Sequence, residues 1–315
     1  MKKNLAGKIA VVAGATRGAG RGIACALGEA GATVYCTGRS VTGKSATPGR
    51  PETIQQTAEM VTARGGAGIP VQVDHSKPAQ VKKLFARIKK EQGGLDILVN
   101  DIWGGEELTE FGKTFWEASL DKGFLMLERA VHTHIITSHF GAPLMFDRGP
   151  GLIVEITDGD FFGYRFNIFY DLVKTSVIRL AFAMSFELKK RNVSAVALTP
   201  GFLRSEAMLD HFKVRESNWR DGAKMDPNFV VSETPLFVGR AVAALAADPD
   251  LSKKSGRVFS SWDLADEYGF TDLDGSRPHW GKHFKETYGV YPRCDDGFYS
   301  YWKPGPGELV FPDWP

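Results

Sequence analysis

The chain has 315 residues, 43% hydrophobic and 24% charged, with a formal charge of +2, the profile of a soluble globular protein with room for one large core or two smaller ones. The low charge and the lack of a Lys/Arg block exclude a nucleic-acid surface, and no stretch approaches the ~20 apolar residues of a membrane helix. Three scattered cysteines, Cys25, Cys36 and Cys294, exclude a disulfide framework, so with no signal-peptide pattern at the N-terminus the expectation is a cytoplasmic protein whose partners are small molecules.

The first element is an apolar strand, Lys8–Ala13, which runs into Gly14-Ala-Thr-Arg-Gly18-Ala-Gly20 and straight into a helical pattern over Arg21–Ala30. Glycines at these positions let the backbone take positive φ and approach a pyrophosphate, and the amides and positive dipole end of the following helix face the anion. Further short apolar runs follow at Thr33–Thr37, Ile69–Asp74, Leu95–Asn100, Leu152–Thr157, Val193–Leu198 and Gly256–Phe259, each bounded by Gly, Asp or Asn. Helical patterns lie between them at Pro51–Arg64, Pro78–Glu91, around Glu117–Phe146 and at Tyr170–Lys190, with Pro51 and Pro78 read as first-turn prolines. This alternation predicts an α/β fold: a Rossmann-type, doubly wound, seven-stranded parallel sheet with helices on both faces and ligands off the carboxyl ends of its strands, where Gly14, Asn100, Thr157 and Pro200 lie. Residues 1–260 are read as one catalytic domain. Residues 261–315 are rich in aromatics, among them Trp280, Phe284, Tyr288, Tyr291 and Trp302, and are read as an ordered extension packed on that domain.

Tyr170 and Lys174 stand four apart at the start of a helical pattern and so share a face. A tyrosine near pKa 10 becomes useful as an acid or base at neutral pH only if its phenolate is stabilised, and a lysine cation alongside supplies part of that. Taken in order, Gly14-x3-Gly18-x-Gly20, the strand-end Val-Asn100 followed by Asp101-Ile-Trp, Tyr170-x3-Lys174 and Pro200-Gly201-x3-Ser205 resemble the motifs of the short-chain dehydrogenase/reductase (SDR) family, and length and layout look like its dehydrogenase/reductase member 1 branch. The resemblance spans about residues 8–260. It implies an oxidoreductase that moves a hydride between a nicotinamide dinucleotide and a small carbonyl or alcohol substrate, with Tyr170 as proton donor and Lys174 on the nicotinamide ribose. It also implies a cofactor site that takes in Gly14, Thr16, Gly18, Gly20, Asp74, His75, Asn100, Pro200, Gly201 and Ser205, and assembly as a homodimer or homotetramer through long helices.

Cofactor choice is read from charge. An NAD site of this kind places an acid about 20 residues beyond the glycines; here no acid occurs between Glu29 and Glu52, while Arg17 sits in the glycine loop and Arg39, with Ser40, follows the second strand. Two guanidinium groups suit a 2′-phosphate, so the expected cofactor is NADP(H).

The family's catalytic serine has no counterpart. The fifth strand ends Glu155-Ile-Thr157-Asp158-Gly159, and a one-residue gap decides whether Thr157 or Asp158 takes its place. Thr157 offers a hydroxyl. An ionised Asp158 about 5 Å from Tyr170 would oppose a phenolate by ~3 kcal/mol at an effective dielectric of 20, so Asp158 is expected either protonated and a donor or turned away toward a cation such as Arg165. The family's relay asparagine is also missing; Ala130 or a neighbour falls there, with His132 and His134 close by, either of which could replace the relay, although both are read first as helix residues without that role. No metal is expected, since neither His132-x-His134 nor His279-x3-His283 has companions to complete a shell, and Asp272-x-Asp274-Gly275 lacks the closing glutamate of a calcium loop. Phe161, Phe162, Tyr164, Phe166, Phe169, Phe202, Met208 and Trp103 are placed around Tyr170 and favour an apolar or aromatic ketone, aldehyde or quinone. Two alternatives stay open: a catalytically weak NADP-binding sensor or scaffold, and a lyase or epimerase of the same fold with Asp158 as base.

Overall fold

The computed structural model describes residues 4–291 and 293. Its strands, β1 (Ile9–Ala13), β2 (Thr33–Gly38), β3 (Ala67–Gln72), β4 (Ile97–Asn100), β5 (Gly151–Ile156), β6 (Val193–Thr199) and β7 (Val258–Ser260), form one sheet in the order β3, β2, β1, β4, β5, β6, β7. Every neighbouring pair is parallel. The order reverses between β1 and β4, which opens a crevice at their carboxyl ends.

Period-two alternation sends each strand's residues to two different cores. Ala10 and Val12 of β1 join Val99, Val154 and Val196 against Ile23 and Leu27 of α1 (Gly18–Glu29) and Val238 and Val242 of α8 (Pro235–Ala246). Ile9 and Val11 face the other way, with Leu98 and Ile153, against Leu84, Phe85 and Ile88 of α3 (Pro78–Gln92). The remaining helices are α2 (Ile54–Ala63), α4 (Leu120–Leu127), α5 (Thr133–Gly141), α6 (Ile168–Leu188), α7 (Glu206–His211), α9 (Ser261–Tyr268) and α10 (Trp280–Tyr288). None is long and apolar enough to cross a membrane.

Several element bounds differ from the sequence expectation, each for a local reason. Pro51 lies outside α2, which starts three residues later because Thr53 and Gln56 form a reciprocal capping box; Pro78 does occupy the first turn of α3. β3 begins and ends two residues earlier than expected and keeps Pro70 within it, tolerated because β3 is an edge strand. The expected helix over 117–146 is α4, a π-helical turn over Glu128–His132, and α5. α6 starts at Ile168, where the Asn167 side chain accepts from the amides of Phe169 and Tyr170. That cap fixes Tyr170 in the first turn. Beyond residue 260, α9 lies against α8 and α10 against the turn at 227–231; Cys294, Trp302 and the other aromatics after residue 293 lie outside the described residues.

The contact between α1 and α8 holds the glycine loop on the sheet and depends on two small residues. A Cβ on Gly22 would lie 1.9 Å from the Pro235 carbonyl oxygen, and one on Gly239 would lie 2.5 Å from the Gly22 oxygen. Gly22→Ala is therefore expected to destabilise the protein by about 3 kcal/mol in urea unfolding, at the upper end for overpacking. A loss below about 0.5 kcal/mol, the range of an ordinary surface change, would contradict this account.

Candidate active site

A single cavity of about 1050 Å³ runs along the carboxyl ends of the strands, from the glycine loop to Tyr170 and on to α10. At its nucleotide end Gly14 has φ +95, and a Cβ there would lie 2.1 Å from the Asp101 carbonyl oxygen. The turn is pinned by the amides of Gly14 and Ala15, which donate to the Thr37 carbonyl at 3.0 and 2.9 Å. No other residue type fits at position 14, and the cradle this leaves at the start of α1 suits a phosphate group.

Thr16, Arg17, Gly18, Arg39, Ser40 and Asp74 all line this end, as does His75. Gly20 sits against the Asp101 carboxylate, within 2.8 Å of where its Cβ would be. The Arg17 guanidinium reaches Thr47 at 3.2 Å and Glu106 at 3.8 Å. Ser40 accepts from the Ala46 amide. Asp74 keeps its carboxyl low against the effect of burial because Ser76 bonds it twice and Arg39 is near. His75 is buried, held between the hydroxyls of Thr37 and Thr137 at 2.8 Å each, and burial together with the charge of His134 pushes it down to about 3.

Asn100 does not line the cavity. It is fully buried beneath it, where its amide donates to Ser138 at 2.9 Å and to Glu155 at 2.7 Å. Glu155, in the middle of β5, also takes His134 Nδ1 at 2.5 Å, while His134 Nε2 donates to the Ile102 carbonyl at 3.1 Å. A carboxylate in the core of the central sheet is thus paired rather than stranded. His134 is the partner that sequence reasoning set aside, since nothing local links positions 134 and 155.

The residue that does face the cavity at the end of β4 is Asp101, pushed up to about 7 by burial and opposed by the charge of Lys174. Glu206, just past Ser205, was also missed: its carboxylate accepts from the Gly18 amide at 2.8 Å and pairs with Arg21 at 3.2 Å. It joins α7 to the glycine loop, with the Asp210–Arg50 pair nearby as a second tie. Pro200, Gly201 and Ser205 line the cavity beside them.

Farther along the cavity the Tyr170 hydroxyl donates to Asp158 Oδ2 at 2.6 Å. Burial and then the Asp158 charge push the phenol well above its ordinary 10. Asp158 is exposed to the cavity and presents an acceptor there. The Thr157 hydroxyl is engaged elsewhere, donating to the Lys174 carbonyl at 2.8 Å. Arg165 does not pair with the Asp158 carboxylate; it donates to the Asp158 carbonyl at 2.7 Å, to the Phe161 carbonyl and to Asp171. Lys174 Nζ lies over the rings of Trp103 and Tyr170, at 4.3 and 5.4 Å from their centroids, and burial lowers its pKa against the pull of Asp158 and Asp101.

Aromatic side chains enclose the substrate end. Trp103, Phe161, Tyr164, Phe166, Phe202 and Met208 line the cavity as expected, but Phe169 packs into the cluster with Met126 and Val173, and Phe162 against Ile178 and Val258. The extension adds Trp280, Phe284 and Tyr291, the last donating to buried Asp160 at 2.5 Å. Among the described residues no three His, Cys, Asp or Glu side chains gather as a metal site.

A short chain dehydrogenase family model matches residues 8–215. The chain is 38% identical over 274 residues to Dehydrogenase/reductase SDR family member 1 of Mus musculus, covering 85% of this chain and 84% of the relative, and 36% identical over the same shares to the Homo sapiens protein of that name. Its fold is similar to that of a short chain dehydrogenase from Mycobacterium thermoresistibile, with TM-score 0.72 at 22% identity over 88% of this chain and 92% of that one. A mutant of a Serratia marcescens short-chain dehydrogenase/reductase superposes with TM-score 0.66 at 24% identity, over 82% and 97%.

Because His75 is neutral in the fold, it contributes stability that is complete above its ordinary 6.5 and is lost as pH falls toward about 3. His75→Gln, which keeps hydrogen-bonding groups but does not titrate, is expected to flatten the decline of urea stability over that window. Parallel declines in the variant and the wild type would count against a neutral, buried His75.

Proposed function

The chain belongs to the short-chain dehydrogenase family, and on that premise we propose that it is an NADPH-dependent oxidoreductase that delivers a hydride to a small apolar or aromatic carbonyl compound, with Tyr170 as the proton donor. Enzymes of the family use a nicotinamide dinucleotide, and when bound it supplies the hydride. The observation that carries the reading is the Tyr170 hydroxyl in the same cavity as the glycine cradle, 2.6 Å from a carboxylate that keeps it protonated. A phenol held in its acid form is ready to give a proton to a substrate oxygen. Lys174, on the next turn of the same face, would hold the nicotinamide ribose; Thr157 supports that turn through the Lys174 carbonyl and would leave proton transfer to the Tyr170–Asp158 pair.

The preference for NADP(H) rests on Arg39 and Arg17, which line the nucleotide end where no acid follows β2. A guanidinium paired with a 2′-phosphate forms a charge-assisted bond that a ribose hydroxyl cannot match. Leu120 and Phe124 of α4 and Leu172 and Phe186 of α6 are large and exposed, which supports a homodimer or homotetramer built on those helices. Asp158 on the phenol also suits a lyase or epimerase that uses it as base, and consumption of NADPH separates that reading from the reductase.

Oxidation of NADPH should be followed against aromatic and aliphatic ketones, aldehydes and quinones. Tyr170→Phe is expected to lower turnover by about 100-fold or more, the scale of a lost general acid, with NADPH binding kept; full turnover in the variant would remove Tyr170 from the mechanism. Arg39→Ala is expected to weaken NADPH about 10-fold or more and leave NADH nearly unchanged, as befits loss of a charge-assisted phosphate bond. Equal weakening of both cofactors would refute the phosphate assignment.

A further inference from the structure

When a carbonyl accepts a hydride its oxygen gains negative charge, and the groups around it help by donating hydrogen bonds. This site offers few donors at the reacting end. The Thr157 hydroxyl is directed to the Lys174 carbonyl, and the Tyr170 hydroxyl to Asp158. Asp158 itself is an acceptor open to the cavity, and a second acid, Asp160, lies two residues on, bonded by Tyr291. The nearby cations face elsewhere: buried Arg165 is held by backbone carbonyls and Asp171, and Lys174 lies over two rings. Asp101, another acid lining the cavity, sits at the glycine loop.

The walls reinforce this polarity. Tyr164, Trp280 and Tyr291 line the same cavity as Asp158, and aromatic faces together with a carboxylate favour a cation over a neutral molecule of the same shape. An N–H⁺ at the reacting atom would give Asp158 a second donor beside the Tyr170 hydroxyl. A carbonyl oxygen would give it a second acceptor.

We propose that the site also reduces carbon–nitrogen double bonds, taking an aryl or cyclic imine in its protonated form with Asp158 as the counter-ion of the iminium N–H. The proposal rests on the hydride-transfer reading above and extends the acceptor. The imine nitrogen takes its proton through the Asp158–Tyr170 pair or arrives protonated. The iminium carbon then takes a hydride, with its two electrons, from reduced nicotinamide; a new C–H bond forms, the C=N π pair becomes the nitrogen lone pair, and the products are a neutral amine and oxidised nicotinamide. Charge at the nitrogen falls to zero in the step, so no anion develops beside Asp158.

The test pairs shape-matched probes. Quenching of the cavity tryptophans at neutral pH should show protonated aminotetralin binding about 10-fold or more tighter than neutral tetralol, the scale set by a carboxylate and aromatic faces acting on a cation. Asp158→Asn should abolish that difference. In turnover with NADPH, dihydroisoquinoline should be reduced to the amine, and Asp158→Ser should lower the ratio of its rate to that of tetralone about 10-fold or more. NADPH binding by both variants controls for folding. An ammonium preference that survives in Asp158→Asn, or tetralone reduced while the imine is not, overturns the proposal alone; if neither substrate is reduced although NADPH binds, the reductase reading falls with it.

Discussion

The hydrogen bond from Tyr170 to Asp158 is the constraint around which this end of the cavity is arranged. A phenol 2.6 Å from a carboxylate cannot ionise without placing two negative charges side by side, so the proton stays on the pair. This inverts the electrostatics of a site in which a lysine alone adjusts the tyrosine. Lys174 remains on the same helical face, yet its charge is shared with Asp158 and Asp101 and screened by the rings beneath it. Under the proposed function Tyr170 would be an acid that gives up its proton only to a group that also relieves, or at least does not add to, the negative charge at Asp158.

That arrangement depends on parts of the sequence far from one another. Asp158 follows the last residues of β5, and Gly159 beyond it takes φ +78 while its amide donates to Thr199 at the end of β6. Arg165 gathers the carbonyls of the same turn and so fixes its shape. Asn167 caps α6 and sets the height of Tyr170. Beneath the cavity the Glu155–His134–Asn100 network ties β4, β5 and α5 together, a buried polar set that is satisfied at several points and rigidifies the floor of the site. The nucleotide end is bound to the substrate end by α7, through Glu206 on the glycine loop and Asp210 on Arg50.

Much of this was legible in the sequence wherever the signal is local. The seven strands, the glycine cradle and the spacing of Tyr170 and Lys174 follow from periodicity, from φ requirements and from helical geometry. The first-turn role of Pro78 was readable, but that of Pro51 was not, because a Thr53–Gln56 capping box three residues on competes for the helix start. What could not be read depends on contacts across the sheet. Asn100 reads as a strand-end polar residue, and only the neighbouring β5 reveals that it serves Glu155. Thr157 and Asp158 were interchangeable until the turn of β5 directed one to the Lys174 carbonyl and the other to the phenol. Glu206 and Tyr291 carried no motif at all, since their partners lie 188 and 131 residues away.

The most direct test is the ionisation of Tyr170 itself, followed by NMR of ¹³C-labelled tyrosine with Tyr170→Phe as the assignment control. The account predicts that the Tyr170 ring carbon shows no phenolate up to pH 10, the ordinary tyrosine value, and that Asp158→Asn lowers its titration while burial still holds it up. A Tyr170 that ionises near pH 7 in the wild-type protein, or one whose titration is the same in Asp158→Asn, would contradict it.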